Sequence, residues 1–82
     1  MNAEQILLAE VEQMRKNPVI MNFVETEAYE KVAAEIRQKL GGGTTAKAVK
    51  LLEIRHANIK QRVQQYVAAG LLGCLQAKYG VN

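Results

Sequence analysis

One histidine and one cysteine are the side chains of this sequence best suited to catalysis or to metal binding. Glu53 precedes His56 by three positions, a spacing at which a carboxylate on a helix can orient an imidazole as a general base. Zinc needs three or four ligands, and the chain has no second histidine and only Cys74 as a thiol. Because Leu52 and Ile59 lie at helical spacing on either side, we expect His56 to be a buried or half-buried structural residue.

The other candidate catalytic residues have no stronger support from the sequence. Cys74 follows Gly73 near a predicted helix start, where a thiol can be activated, but the surrounding leucines predict a small buried apolar residue. Glu25, Glu27 and Glu30 cluster, yet their spacing is typical of a solvated helical face. The chain contains no serine and no aspartate. We therefore predict a protein that is not an enzyme and holds no cofactor or metal ion.

Length and composition predict a single small domain over residues 1–82. Of the 82 residues, 49% are hydrophobic and 23% charged, which is too apolar for a disordered chain. A chain of this size buries only about 60–65% of its unfolded surface, so a partner would add useful stability. No apolar run reaches the roughly 20 residues of a membrane span, and the N-terminus is acidic where a signal peptide is basic. We expect a cytosolic protein or a part of an intracellular assembly, without secretion or a transmembrane segment.

The spacing of apolar residues predicts an all-α fold. Asn17-Pro18 both ends one helix and begins the next, because proline is unfavourable after a helical residue but favourable at a first helical position. Asn2 and either Thr44 or Thr45 are expected N-caps, and Gly70 is an expected helix end. The predicted architecture is a long antiparallel hairpin (about 18–40 and 45–69) with an N-terminal helix (about 3–16) and a short C-terminal helix (about 71–79).

The turn of this predicted hairpin is glycine-rich. Gly41, Gly42 and Gly43 could also cradle a phosphate, but no strand precedes them and the GK[ST] ending of a phosphate loop is missing. We expect a simple reversal of direction. The helix after it presents an apolar seam at spacings of three and four, formed by Val49, Leu52, His56, Ile59, Val63 and Tyr66.

The seam predicts the core of the hairpin. Leu52, Ile59 and Val63 are expected to pack against Val32, Ile36 and neighbouring residues of the preceding helix. An Ile59→Ala substitution should then cost about 2–5 kcal/mol.

Charge is distributed unevenly along the chain. Residues 1–36 contain seven Glu and three Lys or Arg, a charge of −4, whereas residues 37–82 contain eight Lys or Arg and one Glu, a charge of +7. We favour an arrangement in which the two arms of the hairpin neutralise each other. The alternative is nucleic-acid binding by a basic helical face of Lys47, Lys50, Arg55 and Arg62, although helix-turn-helix proteins use shorter helices than the one predicted here.

The sequence contains two groups of apolar residues that one small core cannot easily bury together. Leu51 and Ile54 lie opposite the seam, and Leu71, Leu72 and Leu75 follow the glycine expected to end the third helix. Exposed clusters of this kind usually mark a contact site. We predict that at least one group, with the C-terminal one favoured, binds another subunit or a neighbouring protein.

Two stretches carry a resemblance to a known family: ILLAEVEQMRKNPVIMNFVETEAYEKVAAEI and, after a loop, VKLLEIRHANIKQRVQQYVAAGLLG. Over about residues 5–73 the chain resembles short helical proteins of tailed bacteriophages, which share the Asn-Pro junction seen at Asn17-Pro18 and a second long helix ending near a glycine. Two features depart from the family pattern, the Gly41–Gly43 loop and the cysteine-containing tail. The resemblance implies a minor, multi-copy component of a phage particle with no active-site residues, located in a virion or in host cytoplasm. A DNA-binding or DNA-packaging accessory protein and an inhibitor of a host protein remain alternatives.

Overall fold

The computed structural model describes residues 2–80, and these residues form four α-helices without a strand. In chain order they are α1 (Ala3–Arg15), α2 (Pro18–Leu40), α3 (Ala46–Glu53) and α4 (Ala57–Tyr79). The predicted all-α class is confirmed. Within this part of the chain, no helix combines the length and the apolar character that a membrane crossing requires.

Side-chain caps begin the first three helices where the sequence indicates them. The Asn2 side chain accepts a hydrogen bond from the Gln5 amide, and the Asn2 backbone amide donates one to the Gln5 side-chain oxygen, which completes a capping box. The Asn17 side chain accepts from two amides at the start of α2, directly before Pro18. Thr45 accepts from the Ala48 amide at the start of α3. These caps satisfy backbone donors that a helix start leaves free.

The core lies between α2 and α4, which form the predicted antiparallel hairpin. Ile59, near the start of α4, borders the same cleft as Ile36 near the end of α2. Further along α4, Gly70 lies against Val24 near the start of α2. The buried residues that pack together are all apolar: Val24, Ala28, Val32, Ala33, Val49, Val63, Val67 and Leu71. Ile36 and Ile59 are half-buried against this cluster.

The predicted continuous helix over 45–69 is wrong, because the chain breaks at residues 54–56. Ile54 still has helical dihedral angles, but His56 is extended (φ −122°, ψ 101°) and stands at the N-cap of α4. The Arg55 and His56 amides both donate to the Leu52 carbonyl, so the break leaves them satisfied. His56 is consequently exposed and lies outside the apolar seam, which corrects its expected burial.

The predicted helix end at Gly70 and the separate helix over 71–79 are also wrong. Gly70 lies inside α4, which continues to Tyr79 and ends at Gly80 in left-handed geometry (φ 67°). A Cβ atom at Gly70 would lie 2.8 Å from Cγ1 of Val24, so this glycine permits close approach of α4 to α2. Val81 and Asn82 of the predicted tail lie outside the described residues.

Candidate interaction surfaces

The end of the molecule where α1 crosses α4 carries an open apolar cleft of about 310 Å³. Leu7 of α1 faces Leu72, Leu75, Gln76 and Tyr79 of α4 across it. We call these five residues the α1–α4 cleft. Leu75 is buried at its floor, whereas Leu7, Leu72 and Tyr79 are each about half exposed (47%, 51% and 55%).

A polar clamp fastens α1 beside this cleft. The Glu10 carboxylate accepts a hydrogen bond from the Tyr79 hydroxyl at 2.8 Å and forms an ion pair with Lys78 at 3.3 Å. The hydrogen bonds from Tyr79 and Lys78 hold the pKa of Glu10 below its usual value. The hydrogen bond to this carboxylate raises the pKa of Tyr79, because the phenol must keep its proton to donate that bond.

The structure divides the five apolar residues predicted to bind a partner. Leu71 and Leu75 are buried in the protein's own core (0% and 2% exposed), so they are not available to a partner in this conformation. The expectation that the whole C-terminal group lies apart from the core is therefore wrong, because α4 continues through Gly70 and its apolar stripe stays in register with α2. Leu51, Ile54 and Leu72 are exposed.

The sequence analysis did not predict that several further apolar side chains are exposed. Ile6, Leu7 and Leu8 are consecutive in the sequence, and a helix with 3.6 residues per turn cannot turn all three towards one neighbour. That run of three apolar residues is the sequence signal for an exposed apolar surface on α1. Phe23 and Leu40 are also exposed (57% and 83%), and periodicity alone could not show which side of α2 faces solvent.

Arg62 is the one predicted nucleic-acid residue that forms an ion pair within residues 2–80. Its guanidinium lies 2.9 Å from the Glu35 carboxylate and also donates to Gln65 and to the Tyr66 hydroxyl. The Tyr66 hydroxyl donates in turn to Glu35. Hydrogen bonds from Arg62 and Tyr66 lower the pKa of Glu35. Arg62 therefore joins α4 to α2, and the Glu35 carboxylate already compensates its positive charge.

Lys47, Lys50 and Arg55 are exposed on α3 and on the break that follows it. The Lys50 ammonium lies 5.1 Å from the centre of the Tyr29 ring, at cation–π distance. Tyr29 donates to Glu53 at 2.5 Å. Burial and that contact raise the pKa of Tyr29. Because the chain breaks before α4, these cations do not form one straight face with Arg62.

The candidate catalytic residues are not brought together. Glu53 is bonded to Tyr29 of α2, while His56 is exposed at the start of α4 and makes no side-chain cap bond. Cys74 is half-buried beside the core as a free thiol. Within residues 2–80 no group of three or more His, Cys or Glu side chains has an arrangement suited to a metal ion.

The chain thus presents an apolar region around the α1–α4 cleft and a cationic region around α3 and the start of α4. Comparison of this chain with protein-family models, with curated proteins and with solved structures gives no match.

Proposed function

We propose that this protein is a non-enzymatic interaction protein that assembles in several copies through α1 and the α1–α4 cleft. One observation carries the proposal: α1 spans 13 residues and has no buried side chain. Three of its large apolar residues, Ile6, Leu7 and Leu8, are 47–60% exposed. A helix that short is marginal in water without tertiary packing, so a second surface that covers α1 would stabilise it.

The packing of α1 within the chain supports the same conclusion. Val11 and Met14 are half-buried against the core, and Glu10 joins α1 to the end of α4. These contacts hold α1 along one side only. Leu7 borders the α1–α4 cleft, so its exposed side chain and those of Leu72 and Tyr79 form one apolar area of the kind that marks a protein contact.

The charges of α1 favour a second copy of this chain as the partner. At 100° per residue, Glu4, Leu8 and Arg15 lie within about 40° of one another on the helix circumference. Two copies of α1 packed antiparallel along this line would place Glu4 of each opposite Arg15 of the other, with the Leu8 side chains between them. Such self-complementary pairing is the property of a two-fold interface, the commonest kind in soluble oligomers.

The proposal extends to a minor structural component of a tailed-phage particle. It rests there on the resemblance carried by the Asn17-Pro18 junction and its flanking helices. Quantitative mass spectrometry of purified particles should then find the protein in several copies per particle. Its absence from particles, with the protein abundant in infected cells, would contradict this extension and favour a host target.

The oligomeric state of the purified protein tests the proposed interface. Sedimentation equilibrium should give a mass above the 9.1 kDa of one chain at micromolar concentration. A Leu8→Gln/Leu72→Gln variant should sediment as a monomer with unchanged helix content by circular dichroism. The matched control is Leu51→Gln/Ile54→Gln, which removes two exposed apolar residues elsewhere and should assemble like the wild type.

Charge exchange sharpens this test. Glu4→Arg and Arg15→Glu should each weaken assembly, because each places like charges opposite one another across the two-fold axis. Mixing the two variants should restore a dimer that contains one chain of each. A wild-type protein that stays monomeric at all concentrations would overturn the proposed function, and an unrestored mixture would overturn the antiparallel arrangement of α1.

A further inference from the structure

The strongest charge asymmetry of the molecule lies where α2 ends and α4 begins. Residues 37–62 contain seven Lys or Arg and one Glu, a formal charge of +6 in a chain whose total is +3. We call these residues the basic end. Arg37 donates to the Thr44 carbonyl at 2.5 Å and ties the connecting loop to α2. Lys39, Asn58 and Arg62 border one open cleft of about 340 Å³.

Acidic residues neutralise little of this charge, contrary to the expectation from the hairpin. Within residues 2–80 the ion pairs are Arg62 with Glu35 and Lys78 with Glu10. Glu53, the acid within the basic end, accepts a hydrogen bond from Tyr29. Four exposed cations of the basic end make no ion pair, hydrogen bond or cation–π contact in this part of the chain: Lys39, Lys47, Arg55 and Lys60. Lys50 is exposed too, but it lies over the Tyr29 ring.

The break at residues 54–56 removes the structural objection to nucleic-acid binding. The sequence indicated one long helix, whereas the structure has an eight-residue α3, a three-residue connection and then α4. A short helix joined to a second helix by three or four residues is the arrangement of helix-turn-helix units. The first two turns of α4 also expose Asn58 and Gln61, whose amides can contact phosphates or base edges.

The aromatic residues argue against a single-stranded ligand. Proteins that bind single strands stack bases on exposed aromatic rings. Tyr29 and Tyr66 are half-buried, and each has a cation over its ring, Lys50 and Arg62 respectively. Phe23 lies outside the basic end. A duplex is bound without stacking, and only the wide major groove of B-form DNA admits a helix such as α4.

We propose that the basic end binds double-stranded DNA, with Lys39, Lys47, Arg55 and Lys60 neutralising backbone phosphates and the start of α4 placed at the major groove. The binding is mainly electrostatic, so the binding constant should fall as the salt concentration rises. In a plot of the logarithm of the binding constant against the logarithm of salt concentration, each phosphate contact contributes about −0.9 to the slope. Four contacts correspond to a slope of about −3.6.

Fluorescence anisotropy with a labelled 20-base-pair DNA duplex tests this proposal across a salt series. The wild-type protein should bind with a slope near the value above. A Lys47→Gln/Arg55→Gln variant should lose about half of that slope, because two of the four contacts are removed. The matched control is Lys16→Gln/Lys31→Gln, which removes the same charge outside the basic end and should leave the affinity for DNA almost unchanged.

Four outcomes would overturn the proposal. They are absence of duplex binding at low salt, equal losses in the two variants, tighter binding to an RNA duplex or a single strand of matching sequence, and binding to phosphatidylserine vesicles without binding to duplex. The last would assign the cations, together with the exposed Leu51 and Ile54, to a membrane surface. Unchanged circular dichroism in both variants ensures that a lost affinity reports the lost charge.

Discussion

Helix α1 and the second half of α4 lie side by side and have similar apolar content, yet they use it differently. In α4, Val67, Leu71 and Leu75 are buried, whereas α1 buries no residue. The reason is the extent of packing: α4 packs closely against α2, while α1 makes only sparse contacts to α2 and α4. Apolar surface in α4 therefore stabilises the fold, and apolar surface in α1 is left for a partner.

Deleting residues 71–82 should have the largest effect. The deletion removes two buried leucines and the residues that bond Glu10, so the remaining chain should lose most of its helix content at 25 °C. If the C-terminal apolar group served only to bind a partner, as the sequence indicates, the same truncation would leave the helices intact and abolish assembly only. Circular dichroism of the truncated chain distinguishes the two, and a fully helical product would show that α4 beyond Gly70 is dispensable for folding.

Neighbouring leucines in α4 offer a sharper comparison. Leu71→Ala should cost about 2–5 kcal/mol, because the side chain is fully buried and leaves a cavity. Leu72→Ala should change the stability of the monomer by at most about 0.5 kcal/mol, because its side chain is half exposed. Urea denaturation at a concentration low enough to keep the protein monomeric measures both. Equal losses would mean that α4 is rotated from the orientation described.

Alanine substitutions at two glycines of α4 should change the stability of the fold in opposite directions. At Gly70 the new Cβ would meet Cγ1 of the buried, stiff Val24 side chain, so Gly70→Ala should destabilise the fold by about 1 kcal/mol. Nothing lies within 4 Å of a Cβ at Gly73, so Gly73→Ala should stabilise it by about 0.5–1 kcal/mol through helix propensity. Thermal unfolding compares them, and stabilisation by both would contradict the close contact between α4 and α2.

The polar clamp that holds α1 on α4 should give the smallest effect. The pKa of Glu10 is lowered in the folded protein, so the charged carboxylate stabilises the fold above its unfolded pKa. That contribution is lost as the pH falls through the folded pKa. Glu10→Gln should lower the melting temperature only slightly at pH 7, since exposed ion pairs contribute little. The difference from the wild type should shrink as the pH falls through the folded pKa of Glu10. Glu12→Gln is the control on the same helix, and an equal loss there would assign the effect to net charge.

Local signals made much of the fold predictable. Asn2, Asn17 with Pro18, and Thr45 determine where three helices begin, and each acts through hydrogen bonds or backbone geometry within four residues. The break at residues 54–56 has no such signal, because Ile54, Arg55 and His56 include neither glycine nor proline and the apolar spacing continues across them. Packing of α3 on α2 must decide it.

Gly70 shows the opposite failure of local signals, because it indicates a helix end where α4 in fact continues. A glycine after an apolar stripe is typical of a helix end, but it also allows two helices to approach closely, and only the position of Val24 distinguishes the two. Because a helix end was predicted at Gly70, Leu71 and Leu75 were assigned to the contact surface instead of the core. The residues of α1 were missed because an amphipathic stripe does not show how much of it the rest of the chain will cover.

Hydrogen–deuterium exchange measured over a range of protein concentrations tests most directly whether α1 is stabilised from outside its own chain. Backbone amides of α2 and α4 around Val24 and Leu71 should be protected to the same degree at every concentration, because their packing is intramolecular. Amides of α1 should exchange fast in dilute protein and become protected as concentration rises into the range of assembly. Protection of α1 that equals that of α2 in dilute, monomeric protein would contradict the account.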